Sequence, residues 1–223
     1  MAYLDFMSAV HKSTTRDYLG RVNDPEYPKY KAAELAKGWG FDYWDGDRRI
    51  NYGGYRYIEG RWEKVARAMQ EHYQLPKDAK ILDVGCGKGF MLYDFTKILP
   101  EAVVHGIDVS RYAIENSKPE IRQQLVEGRA ESLPWPDNYF DLVYSLNTFH
   151  NLHTYELNLA LNEFERVGKK HKYLCVESYR NEREKANLLY WQVTCEAFNT
   201  PEEWEWWFNL TDYKGDHSFI YFE

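Results

Sequence analysis

Ile81, Leu82 and Val84 surround a single acid, Asp83, and lead straight into Gly85-Cys86-Gly87-Lys88-Gly89. A short apolar run that stops at a turn signal is the pattern of a strand buried on both faces. From Phe90 the period changes. Phe90, Met91, Leu92, Phe95, Ile98 and Leu99 fall on or near one face of a helix over 90–99, and Pro100 stops it. Strand, tight glycine turn and helix form the opening unit of an α/β sheet, the kind that holds a nucleotide-like ligand beyond the carboxyl ends of its strands.

The same alternation continues downstream. Residues 103–108 predict a second strand ending on Asp108, with Ser110 suited to cap a helix over 110–117. Strands follow at 124–127, 140–147 and 172–178, with a helix at 155–167 that places Leu157, Leu161 and Phe164 on one face. Residues 182–198 begin as helix and lose their period. Thr200-Pro201-Glu202-Glu203 is a capping box with proline at the first helical position, opening a helix through about 208. Residues 217–222 predict a last strand. Upstream, 62–73 reads as an amphipathic helix (Trp62, Val65, Ala66, Met69 and Tyr73 inward). Residues 30–37 read as a short helix closed by Gly38, and 8–18 as another short helix. Residues 39–61 hold neither period: aromatics alternate with glycines, acids and arginines. Such a segment cannot fold alone and is expected to lie over something else. The division expected is a lid segment over 1–62 and a ligand-binding domain over 63–223.

The glycine turn narrows the ligand. A P-loop needs glycine where Leu82 stands and Ser or Thr where Gly89 stands; the dinucleotide pattern needs glycine where Phe90 stands. Asp108 lies 19 residues beyond Gly89, the place for a carboxylate that accepts two ribose hydroxyls. With Gly128 to Val143 as an adenine-contacting loop and fourth strand, this Gly-x-Gly-x-Gly after an acidic strand residue resembles motif I of class I S-adenosylmethionine (SAM) dependent methyltransferases, in the UbiE-like branch. The resemblance covers roughly 81–178. It implies a Rossmann-like, mostly parallel sheet with helices on both faces. Such sheets close with an antiparallel pair after the last helix, and only one strong strand is available, so a truncated edge is expected. The resemblance also implies SAM contacts from Gly85, Cys86, Gly87, Gly89, Asp108, Val109, Ala130, Glu131 and Leu146, with Asp83 orienting the turn and the methionine amine. Relatives carry Asp at the position of Arg129, which cannot accept the adenine amino hydrogen bond; Glu131 is expected to substitute, with the Ala130 main chain reading the ring edge.

Composition then limits the partners. A net charge of −7 disfavours nucleic acid. Three cysteines, Cys86, Cys175 and Cys195, show no zinc spacing and read as reduced thiols. No apolar run approaches membrane-spanning length and no basic-then-apolar leader is visible. The expectation is a cytoplasmic protein with a small-molecule acceptor and no membrane or nucleic-acid partner, its oligomeric state left open.

Transfer from an activated methyl donor asks mainly for alignment, and a hydroxyl acceptor also asks for a base. The resemblance places the fourth-strand exit opposite the methyl group, so His150 is a candidate base, with His153 one turn on. At the fifth-strand exit, Glu177 is a second candidate base, and Arg180 a group for an acidic acceptor. Arg48, Arg56, Tyr52, Tyr55 and Tyr57 in the lid supply guanidinium forks and flat faces for an acceptor that is small and anionic, bearing phosphate or carboxylate and linked to a sugar or nucleotide, methylated on oxygen. His150, His153 and Glu177 also form a possible divalent-metal set, which is not favoured. The alternatives are a NAD-type oxidoreductase, a catalytically silent SAM-binding interaction module, and a protein methyltransferase.

Overall fold

The computed structural model describes residues 1–11, 16–53 and 55–223. Six strands form one sheet in the order β3-β2-β1-β4-β5-β6: β1 (Lys80–Val84), β2 (Val103–Asp108), β3 (Leu125–Glu127), β4 (Phe140–Leu146), β5 (Gly168–Glu177) and β6 (Asp216–Ile220). Every neighbouring pair is parallel. The chain reverses its order of travel across the sheet between β1 and β4, so the crevice of an open α/β sheet opens there.

Helices cover both faces, as the near-continuous apolar strands require. On one face α4 (Glu63–Tyr73), α5 (Phe90–Ile98) and α8 (Glu182–Trp191) bury Val65, Met69, Phe95 and Leu188 against Ile81, Tyr144 and Tyr173. On the other, α7 (Thr154–Val167) and α9 (Pro201–Leu210) bury Leu157, Phe164, Trp204 and Phe208 against Leu82, Val143 and Phe219. The α9 capping box forms as its sequence predicts, with Thr200 and Glu203 bonding each other's backbone N–H. Ser110 caps the short α6 (Arg111–Glu115) through the Ala113 N–H at 3.0 Å.

Several boundaries differ from expectation for identifiable reasons. β5 begins at Gly168, four residues early, because the polar stretch before Lys172 continues the parallel ladder to β4 beyond a register shift. α8 ends at Trp191; Gln192 leaves helical geometry, and residues 192–199 run as an irregular strap held by the Glu196 and Ala197 N–H groups on the His150 carbonyl. α2 (Lys29–Ala36) is capped at Lys37 rather than by Gly38, and the positive φ falls on Trp39. Within 39–61 a single helical turn forms, α3 (Phe41–Trp44). The helix expected over 8–18 falls partly outside the described residues; on either side are a 310 turn at Met7–Ala9 and α1 (Tyr18–Val22).

The sheet edge carries one strand, as expected, but β6 runs parallel to β5. Its outer side is met by the N-terminal residues: the His217 N–H donates to the Ala2 carbonyl at 3.0 Å and the Leu4 N–H to the His217 carbonyl at 2.8 Å. Edge N–H and C=O groups that would otherwise face water are thus paired.

Phe95 is fully buried and its ring lies 5.8 Å from that of Tyr144 beneath β4. Phe95→Ala is expected to lower unfolding free energy by about 3–5 kcal/mol in denaturant titration, through lost transfer energy and the cavity left behind.

Candidate functional site

A cavity of about 940 Å³ opens beyond the carboxyl ends of β1, β2, β4 and β5. Asp83, Gly85, Cys86, Gly87, Asp108 and Val109 form one end of its wall, with Ala130, Glu131 and Leu146 beside them. His150, Glu177, Arg48, Tyr52 and Tyr55 line the other parts, and His153 lies at the mouth.

The glycine-turn end is built around Asp108. Its carboxylate accepts the N–H of Gly87 and of Ser110, each at 2.8 Å, which locks the β1 turn to the β2–α6 junction. Burial pushes its carboxyl up to about 6, against the pull of those two bonds. Asp83, deeper and almost fully enclosed, is pushed well above the usual carboxylate range by burial, with Asp108 adding to the effect.

Residues 43–53 and 55 pack onto this end. The indole N–H of Trp44 donates to Ser110 Oγ at 2.7 Å and its ring lies on Gly87, whose φ is +53°. A Cβ at position 87 would come within 2.5 Å of that ring, so only glycine admits the contact. Lys88, 7% exposed, ion-pairs with Asp45 at 2.8 Å, and Tyr112 donates to the same carboxylate at 2.9 Å. Tyr43, Trp44 and Tyr55 then pack edge to face over the turn, with Ile50 buried behind them. Lys88 stands between two turn glycines, and that place in the sequence is the signal that it serves the turn itself.

At the opposite end, the Glu177 N–H donates to His150 Nδ1 at 3.2 Å. That bond leaves the imidazole proton on Nε2, which lies 3.5 Å from Glu177 Oε2. Burial pushes His150 down to about 3, so it stays neutral, with Nδ1 occupied and Nε2 protonated. In this arrangement the Nδ1 lone pair is engaged by the Glu177 N–H, and Glu177 is the other expected base on the cavity wall. Glu177 is pushed up to about 8 by burial, opposed by Arg16 and by a hydrogen bond from the Gln192 amide.

Four expected site residues lie off the cavity. Gly89 begins α5 and faces Ile121 and Leu125 on the β3 side of the turn. The Tyr57 hydroxyl donates to buried Asp94 at 2.5 Å, and its ring packs on Tyr93 over α5. Arg56 is exposed and outside the cavity wall. Arg180 is held by Glu184 and Glu223 and lies over the Tyr221 ring at 4.1 Å. Glu131 lines the cavity, but its carboxylate receives Arg129, which also reaches Glu156. His153 is more than half exposed, stacks on Tyr155 and leans toward Glu196 at 3.8 Å, so it does not join His150 and Glu177. Among the described residues no group of three His, Cys, Asp or Glu has metal-holding geometry. No described helix is long and apolar enough to cross a membrane.

Residues 75–212 match a family model described as a methyltransferase domain. The chain belongs to that family. Its sheet order, glycine turn and β2 acid are those of the class I SAM-dependent methyltransferase fold. The chain is 33% identical over 130 residues to a demethylmenaquinone methyltransferase of Symbiobacterium thermophilum, covering 53% of this chain and 50% of that protein. It is 34% identical over 112 residues to an uncharacterized methyltransferase of Schizosaccharomyces pombe, covering 44% and 39%. The chain thus spans half the length or less of these curated relatives. Among solved structures, YcgJ of Bacillus subtilis aligns with a TM-score of 0.52 at 20% identity over 66% of each chain. The [4+2]-cyclase SpnF aligns at 0.54 and 21% identity over 76% of this chain and 62% of that one. These two likenesses bear on fold alone.

Two measurements check the site as built. Lys88→Met removes the cation that holds Asp45, and faster amide exchange over residues 39–52 is expected with little change in exchange of β1 and β4. Glu177 keeps its proton to about pH 8 when folded but only to its ordinary value of 4.5 when unfolded. Its contribution to stability is therefore complete below 4.5 and is lost as pH rises through about 8. Relative to wild type, Glu177→Gln should gain stability steadily across that window and no further above it.

Proposed function

We propose that this chain transfers a methyl group from SAM to an oxygen of a small anionic acceptor. The observation that carries this reading is one cavity with a ribose-type acid, Asp108, at one end and a buried carboxyl, Glu177, at the other. A volume of about 940 Å³ suits a nucleoside-sized cofactor with a small acceptor beside it; pockets for drug-sized ligands run from about 300 to 1,000 Å³.

The residues present fit SAM. Asp108 has carboxylate lone pairs left after its two backbone bonds, enough for a pair of ribose hydroxyls. Val109, Ala130 and Leu146 give apolar contacts for a flat base, and Asp83 and Gly85 face the amino-acid end. Arg129, bound to Glu131, satisfies the carboxylate that would otherwise take an adenine amine, so base recognition rests on the main chain near Ala130. The cofactor supplies a methyl already activated on a sulfonium; what remains for the chain is alignment, exclusion of water and removal of one proton.

Glu177 removes that proton. A base works ionised, and this carboxyl ionises near pH 8. His150 positions it: the imidazole holds the Glu177 main chain through Nδ1 and presents its Nε2 proton toward Oε2. Trp44, Tyr43 and Tyr55 shut out water above the turn. Arg48 brings positive charge to the mouth, and the aromatic faces of Tyr52 and Tyr55 suit a flat acceptor body.

Calorimetric titration with SAM and, separately, with NAD tests the reading. SAM should bind and NAD should not; the reverse would overturn it in favour of an oxidoreductase. Asp108→Ala should weaken SAM binding by about 10- to 100-fold through lost charge-assisted hydrogen bonds. With an acceptor in hand, kcat/KM should rise with pH to a plateau with its midpoint near 8. Glu177→Gln should lower kcat by about 10²- to 10⁴-fold and abolish that rise.

A further inference from the structure

Around Glu177 and Gln192 the cavity wall carries buried polar atoms that are only partly satisfied. Glu177 and Gln192 are both nearly fully buried, at 6% and 4% exposed. The Gln192 amide N–H donates to Glu177 Oε1, and this leaves Glu177 Oε2 and Gln192 Oε1 buried with no hydrogen-bond partner among the described residues. The protonated His150 Nε2 lies 3.5 Å from Oε2 without forming a hydrogen bond, so once Glu177 is ionised both oxygens are enclosed acceptors open to a donor from a ligand. Arg16 lines the same cavity, and its guanidinium is held between the rings of Trp191 and Phe222, at 5.1 and 4.7 Å. Among the described residues, no carboxylate lies within ion-pair distance of it. Arg48, at the mouth, lies across Gly53, where any side chain would collide with its guanidinium.

We propose that the acceptor is a hydroxylated carboxylic acid with an apolar body, its hydroxyl donating to the Glu177–Gln192 pair and its carboxylate bound by Arg16. This rests on the methyl-transfer reading above and adds the acceptor's class and orientation. The aromatic walls take the apolar body. A half-buried guanidinium set between two aromatic rings suits a carboxylate carried on an apolar body. The hydroxyl oxygen forms the new bond to the methyl carbon as the carbon–sulfur bond breaks. Its proton passes to Glu177 Oε2, the electron pair of the broken bond stays on sulfur, and the products are a methyl ether and S-adenosylhomocysteine. The carboxylate is not alkylated, because it is turned toward Arg16.

The test uses the full chain with SAM and a panel of hydroxybenzoates, hydroxycinnamates and medium-chain hydroxy acids. Each is paired with its methyl ester, which removes the charge, with its methyl ether, which removes the donor, and with the matching hydroxyaryl or hydroxyalkyl phosphate. SAM binding is measured separately on the same preparation. The expected result is methyl-ether product from at least one free acid, with esters and ethers binding about tenfold or more weakly. Arg16→Gln should raise acceptor KM by a similar factor at unchanged SAM affinity, and Arg16→Lys should restore part of it. The acid-against-ester comparison in wild type stands even if the Arg16 variants do not fold. Esters binding as well as acids, a methyl ester as product, preference for the phosphates, or no turnover of any panel acid while SAM binds would each overturn the proposal and leave the methyl-transfer reading intact. Failure to bind SAM would instead overturn that reading.

Discussion

The carboxylate of Asp108 is the point on which the site depends. It stands at the end of β2 and accepts one N–H from the β1 turn and one from the start of α6. Those two bonds fix the separation of adjacent strand ends, and so the shape of the crevice between them. Nearby, Gly85 and Cys86 both donate to the Ile107 carbonyl, which draws the turn back over the sheet. A turn held this way presents main chain rather than side chains to the cavity, and Trp44 occupies the space that a larger residue at 87 would need.

The lid is an extension of that arrangement. Its charged anchor, Asp45, is met by Lys88 from within the glycine turn, and its aromatic anchor, Trp44, by Ser110 from the α6 cap. Both partners are already held in place by the sheet, so a segment with no helical or strand period acquires a defined position from groups it did not supply. The far end of the lid is set by Tyr52, whose hydroxyl receives the N–H groups of Val193 and Thr194 at 2.7 and 3.1 Å.

The parts legible in the sequence are those in which one residue type has one structural use. Ile81-Leu82-Asp83-Val84 followed by glycines yields a strand and turn wherever it occurs in an α/β chain, and the α9 capping box yields its own first turn. The direction of β6 was not legible, because the side chains of a five-residue strand carry no sign of parallel or antiparallel pairing. Residue roles outside the motifs were harder still. Arg16, Arg48, Arg56 and Arg180 look alike in sequence; the structure places two on the cavity, exposes Arg56 on the surface and spends Arg180 on Glu184 and Glu223. His150 is marked by its position, but its tautomer is set by a single backbone N–H, that of Glu177, 27 residues away, and its neutrality by burial.

Residues 44–52 are tethered at both ends. One ribbon is tied at Trp44 and Asp45 to the glycine turn and at Tyr52 to the strap that follows α8. Lifting either end strains the other, so the stretch between Trp44 and Tyr52 is expected to shift as one piece rather than peel from one side.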